Sequence, residues 1–148
     1  HYPLRRQRQM CIRDSSIYPI SAFFGNVDRE TAILFGWEKI VEVVSKEKKS
    51  RGIKKIVFSD YRVGSLYIFH SNDFNADVIM EQRRTQFDFW REEENSFGKS
   101  TLIVADKDFP IGKKISSCFE KIEFVRDIEI RIGNKIVKKH QVFLGTNP

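Results

Sequence analysis

The densest chemistry in the chain lies in Glu81–Trp90 (EQRRTQFDFW), where Arg83, Arg84, Gln86 and Asp88 are interleaved with Phe87, Phe89 and Trp90. A planar guanidinium fork matches the paired oxygens of phosphate or carboxylate, and an aromatic ring stacks on a sugar or on arginine. The same residues also suit an irregular strand-to-loop segment whose aromatics fill the core while Asp88 pairs with an arginine. Spacing alone leaves both readings open.

Other short motifs carry less. Gly98-Lys99-Ser100 has the ending of a phosphate-binding loop. That pattern needs a glycine five positions before Gly98, where Glu93 stands, and a helix afterwards, where Thr101 opens an apolar strand. The acidic run Glu92–Glu94 would further repel phosphate. Asp106-Lys107-Asp108 follows a strand, the place where metal-dependent nucleotide-sugar transferases hold a divalent cation with Asp-x-Asp. Aspartate is also common where strands end in turns, so a solvated loop is the better reading. His70 lies near Asp73 and Asp77 at no helical metal-ligand spacing, and His140 falls in a strand beside Lys138 and Lys139. Cys118 falls on the apolar face of a helix, the setting of an inert core thiol. No nucleophile–base pair and no glycine-rich dinucleotide fingerprint is present. The chain therefore offers no catalytic residue, no metal ligand and no cofactor site.

The elements that position these residues follow from periodicity. In Asp28–Lys48, Ile33, Trp37, Ile40 and Val44 recur at helical spacing; Asp28 is a candidate N-cap, and Gly52 ends the helix. Lys54–Ser59 (KKIVFS) reads as a short buried strand, Asp60–His70 as a second helix, and Ala76–Met80 and Thr101–Ala105 as two further strands. Pro110–Glu120 reads as a helix with Ile111, Ile115, Cys118 and Phe119 on one face, weakened by Gly112. Asp127–Ile132 then alternates strictly, Gly133-Asn134 supplies a turn, and Lys135–Leu144 returns as its partner. This order predicts an α/β fold. Specifically, it predicts a Rossmann-like sandwich with a short parallel central sheet, flanking helices and a C-terminal antiparallel hairpin on the sheet edge.

The 148 residues carry 26 basic and 20 acidic side chains, a net charge of +6 that would point to nucleic acid or anionic lipid. The excess is concentrated in His1–Ser15 (HYPLRRQRQMCIRDS), which has neither apolar period nor the apolar run of a signal peptide. Arg5–Asp14 back-translates to a sequence resembling a transposase-type library adapter read through in frame, so residues 1–15 are set aside as not natural. Without Arg5, Arg6, Arg8, Arg13 and Asp14, 22 basic and 19 acidic residues remain. A nucleic-acid partner is then not expected. Cys11 is removed as well, leaving Cys118 as the only thiol, so no internal disulfide is expected. No apolar run approaches the ~20 residues that span a bilayer, and Ile17–Phe24 is broken by Pro19 and Ser21.

Several of these segments, taken in order, resemble one family. They are Gly36-Trp37, Ile56-Val57 leading to Asp60-Tyr61-Arg62 and Ser65, Arg83–Trp90, Gly98-Lys99 before an apolar strand, and Phe119–Ile122 before the terminal hairpin. Their order and spacing are similar to the C-terminal region of bacterial family 39 glycosyltransferases, relatives of dolichyl-phosphate-mannose–protein mannosyltransferases and of the lipid A aminoarabinose transferase. The resemblance implies that 28–148 is the soluble extracytoplasmic domain of a polytopic membrane enzyme using a polyprenyl-phosphate sugar donor, with 16–27 as the linker from a missing transmembrane region. It implies a location on the periplasmic side of the inner or plasma membrane. Its partners would be the parent chain's own transmembrane bundle and lipid phosphate or glycan. The family's catalytic acid lies upstream, so this piece alone would transfer no sugar and hold no cofactor. Asp60, Arg62, Arg83, Arg84, Gln86, Asp88 and Trp90 would face the acceptor or the membrane. The alternative is a stand-alone α/β module binding a phosphorylated small molecule.

Overall fold

The protein is described by a computed structural model over residues 32–90 and 97–146. Residues 1–15, the linker 16–27, the candidate N-cap Asp28 and the acidic run Glu92–Glu94 lie outside the described residues.

Strand β1 (Ile56–Phe58) is buried at every position, as its unbroken apolar run requires. On one side it pairs in parallel with β2 (Ala76–Val78), on the other with β3 (Ser100–Asp106). A long hairpin of β4 (Lys121–Ile132) and β5 (Lys135–Thr146) completes the sheet, with β5 antiparallel to both β3 and β4. The spatial order is β2-β1-β3-β5-β4, a five-stranded mixed sheet with its parallel strands at one side and the predicted hairpin at the other edge.

Two helices cover one face. Trp37, Ile40 and Val44 of α1 (Trp37–Ser50) and Val63 and Tyr67 of α2 (Tyr61–Ser71) pack with Ile56, Phe58, Leu102 and Val104. The opposite face, bearing Val57 and Ile103, is covered by Ile79, Phe97, Ile115 and Phe119. The alternation of Ile56 and Phe58 against Val57 is the period-2 pleat of a strand buried on both sides.

Four elements differ from the sequence reading. The helix expected to run unbroken over Asp28–Lys48 is interrupted among the described residues: Ala32 is helical, a turn follows, and α1 starts at Trp37 after Gly36, which takes the left-handed φ of 76° at its N-cap. A Cβ there would stand 2.4 Å from Ile130 Cγ2, so the tight seat against β4 requires glycine. The end is as expected: Gly52 and Ile53 donate to the carbonyls of Lys49 and Lys48, a Schellman closure. The helix expected over Pro110–Glu120 is one turn, α4 (Lys113–Ser116), followed by i→i−3 bonds from Cys118 and Phe119. Ile115 and Phe119 are nevertheless buried, with Ile111 and Cys118 packed beside them, so the apolar pattern gave the right faces on a different backbone. Gln86–Trp90, expected to be irregular, forms a short helix, α3. Finally, β4 begins at Lys121 rather than Asp127, its pairing carried past a bulge between Phe124 and Arg126.

Candidate functional site

Because β2 and β3 flank β1 on opposite sides, the carboxyl ends of the three strands form the kind of crevice where open α/β sheets bind ligands. Ser59 closes β1 there, its hydroxyl donating to Phe109 O at 2.5 Å and accepting from Asp106 N at 3.2 Å. Beside it opens a notch of about 180 Å³ lined mainly by apolar atoms of Ile79, Met80, Phe109, Ile111 and Ile115. Glu81 accepts from the backbone N–H of Lys114, and Lys114 Nζ donates to Met80 O at 2.9 Å, fastening α4 to the end of β2.

Three of the predicted residues gather at this end. Asp60, only 1% exposed, is the N-cap of α2: its carboxylate accepts from Arg62 N at 3.1 Å and from the Arg62 Nη2 and Nε at 3.1 and 3.2 Å. The buried acid therefore has both a capping role and a charge partner, and Arg62 reaches over the Phe109 ring at 5.5 Å. Arg83 lies over the ring of Tyr61, between these two residues in sequence, at 4.6 Å. The other four predicted residues stand on or next to α3. Asp88 accepts from the backbone N–H and hydroxyl of Thr85 at 2.6 and 3.1 Å, reaching back to the residue before the helix, which makes it part of the helix start. Arg84 and Gln86 are exposed, and Trp90 touches Phe87 edge-on at 5.7 Å while remaining open to solvent.

Asp106-Lys107-Asp108 forms a turn: Asp106 Oδ1 accepts from Asp108 N at 2.8 Å. Among the described residues no three His, Cys, Asp or Glu side chains come together to hold a metal. Gly98 takes φ 67° and leads straight into β3, so the Gly-Lys-Ser stretch opens a strand and not a helix.

A second polar cluster, which sequence reasoning did not bring together, lies on the helix-covered face of the sheet. Asp106 and His140 are direct cross-strand partners, with His140 Nδ1 3.5 Å from Asp106 Oδ2. His140 is fully buried, and among the described residues neither ring nitrogen makes a hydrogen bond. Two residues along β5, Lys138 is only 8% exposed; its Nζ donates to Ile33 O at 3.0 Å and sits 4.4 Å from the centre of the Trp37 ring. Trp37 Nε1 donates to the same carbonyl at 2.6 Å, and its ring stacks on the exposed His70 at 5.8 Å. Burial pushes the Lys138 amine down to about 7, with the Asp106 carboxylate opposing that fall. Burial, aided by Lys138, pushes the His140 imidazole down to about 3, so it is neutral at physiological pH. His70 is lowered too, by partial burial and then by Lys138.

The only sequence signal for this cluster was the hairpin itself. The alternation of Ile128, Ile130 and Ile132 fixes an inner face, but which β5 residues share it depends on a bulge. Comparison of the chain with protein-family models, with curated proteins and with solved structures finds no match.

Proposed function

We propose that the chain is the non-catalytic extracytoplasmic domain of a polytopic membrane glycosyltransferase, one that passes a sugar from a polyprenyl-phosphate donor to a lipid, glycan or protein acceptor. In this reading the parallel strands and their crossovers form a Rossmann-like sandwich, and the Arg83–Trp90 face meets the membrane part of the parent chain. One observation carries the reading beyond the sequence resemblance. Phe89 and Trp90 are 71% and 66% exposed on one helical turn, adjoining the exposed Arg83 and Arg84. Neither arginine has an ion pair among the described residues. Apolar rings left in water beside guanidiniums are the composition of an interaction surface, with tryptophan and arginine suited to the headgroup level of a bilayer. Among the described residues no helix is long and apolar enough to cross a membrane, so this face would do the meeting.

The test uses the intact membrane protein. Arg84→Ala and Trp90→Ala should each lower kcat/KM for the acceptor by about tenfold or more, on the order of 1.4 kcal/mol. Because both side chains are exposed, the thermal midpoint should move little. Unchanged transfer kinetics would sink the proposal.

The notch at the strand ends favours the second reading, a stand-alone module for a phosphorylated small molecule, with Arg62 at its Phe109 wall. That reading requires a thermal upshift with sugar phosphates or nucleotides, worth about 2.7 kcal/mol at a ligand concentration of 100 Kd. The membrane-enzyme reading requires none.

A further inference from the structure

We propose that the cavity between the Ile33 turn and the carboxyl end of β3 is a covalent capture site for a small hydroxyaldehyde, which forms an imine with the Lys138 amine. The cavity has a volume of about 240 Å³ and is walled by Ile33, Asp106, Lys107, Asp108, Lys138 and Lys139. Its volume suits a molecule of a few carbons, below the range of drug-sized ligands.

Three observations converge on this chemistry. Lys138 is held in place, between the Ile33 carbonyl and the Trp37 ring, so its amine is positioned without being neutralised by a direct carboxylate bond. The neighbouring Lys139 has its amine paired to Asp127 at 2.8 Å, which leaves Lys138 as the buried amine of the two. Asp106 lines the cavity beside it, with the buried His140 behind, its Nδ1 3.5 Å from Asp106 Oδ2. A desolvated lysine in a cavity, next to a group that can move protons, is the arrangement that makes an amine a nucleophile toward carbonyls.

The step balances without an oxidant or reductant. The nitrogen lone pair bonds to the aldehyde carbon, the carbonyl oxygen takes a proton, and the nitrogen gives one up, giving a carbinolamine. Protonation of the new hydroxyl expels water to leave the protonated imine, whose nitrogen then returns that proton to give the imine. One amine and one aldehyde become one imine and one water. Asp106, which lines the cavity, is the group placed to relay those protons, and the polar mouth at Asp108 and Lys107 would take the hydroxyl of the aldehyde.

The inference is independent of the glycosyltransferase reading and is tested on the chain itself. The protein is incubated at pH 7.5 with glycolaldehyde and cyanoborohydride, which reduces an imine to a stable secondary amine, and the modified lysines are mapped by mass spectrometry. Lys138, despite its burial, should be labelled at least tenfold faster than exposed lysines such as Lys39 and Lys99, and its rate should saturate with aldehyde. Asp106→Asn should slow labelling of Lys138 while leaving the exposed lysines unchanged. A Lys138 peptide labelled no faster than the exposed lysines, or not at all, overturns the proposal. So does a Lys138 rate that rises linearly with aldehyde.

Discussion

Trp37→Ala should cost about 3–5 kcal/mol of folding stability, a third or more of what a domain of this size ordinarily has. The indole is 2% exposed and packs between α1 and the antiparallel side of the sheet. Its loss removes a large buried ring, the hydrogen bond to Ile33 O, the surface on which His70 stacks and the π face over which the Lys138 ammonium lies. The cavity left behind would border Lys138 and His140, two polar groups that depend on the ring to exclude water. Trp37→Phe separates these contributions. It keeps an aromatic face and most of the volume but removes the N–H, and should cost about 1 kcal/mol beyond the change in packing. Urea unfolding followed by far-ultraviolet circular dichroism reads both, with a lower midpoint at unchanged slope for each variant. An alanine variant as stable as the parent would mean that Trp37 does not hold this cluster together.

The parallel half of the fold was legible because its strands are short, apolar and buried on both faces. Ile56–Phe58 could sit nowhere but inside a sheet, and Asp60 with the Val63–Tyr67 spacing announced the helix that follows. Failures of the reading fall where backbone conformation is set by contacts distant in sequence. Nothing local distinguishes Gly36 as a left-handed break from a tolerated helical glycine; the Ile130 side chain that excludes a Cβ comes from a strand more than ninety residues later. Likewise, Pro110–Glu120 has a helical apolar period, but Lys121 onward is drawn into a ladder with β5, and the chain must leave the helix early to reach it.

The site divides in the same way. Asp60 and Arg62 were singled out through the family resemblance and Arg83 by its chemistry, and the three lie at one end of the sheet. By contrast, Asp88 was identified by type and is committed to the backbone N–H and hydroxyl of Thr85 at the helix start, a pairing visible in the sequence as Thr-x-x-Asp. The buried cluster was hidden by a register. From the turn at Gly133-Asn134, Ile132 pairs Lys135 and Arg131 pairs Ile136; regular pairing would next set Ile130 opposite Val137. The irregularity between Ile130 and Arg131 sets Ile130 opposite Lys138 and Ile128 opposite His140 instead. One extra residue therefore turns Lys138 and His140 toward the inner face of Ile128 and Ile130, and Lys139 outward to Asp127 and Glu129. The core-facing row of β5 thus carries a lysine and a histidine beside Val142 and Leu144.

That inversion has a thermodynamic signature in the dependence of stability on pH. The Lys138 amine lies at about 7 in the folded chain against an ordinary 10.5. Between those values the unfolded chain holds a proton that the folded chain does not, so stability should rise with pH from about 7 upward. The contribution is about 1 kcal/mol per pH unit, and it vanishes below 7, where both states are protonated and the charged amine carries its full burial cost. Groups facing this amine are Asp106 and His140 from the sheet and His70 from α2. His140 adds a separate rise between about 3 and 6.5, by the same sign, because it is neutral when folded and charged when unfolded. Tyr67, raised by burial, would reverse the trend only above about 10. Denaturant midpoints of the parent and Lys138→Met should therefore diverge between pH 7 and 9.5. The parent should climb while the variant stays level, and the variant should be the more stable of the two below pH 7, since a neutral chain of similar volume removes the buried charge. Ile33 O keeps its bond from Trp37 in that variant, so the carbonyl is not orphaned. Parallel curves for the two proteins across this window would mean that Lys138 remains hydrated and ordinary. A climbing parent against a level variant establishes an amine that is largely unprotonated just above neutrality, and an unprotonated amine is what carbonyl capture at Lys138 requires.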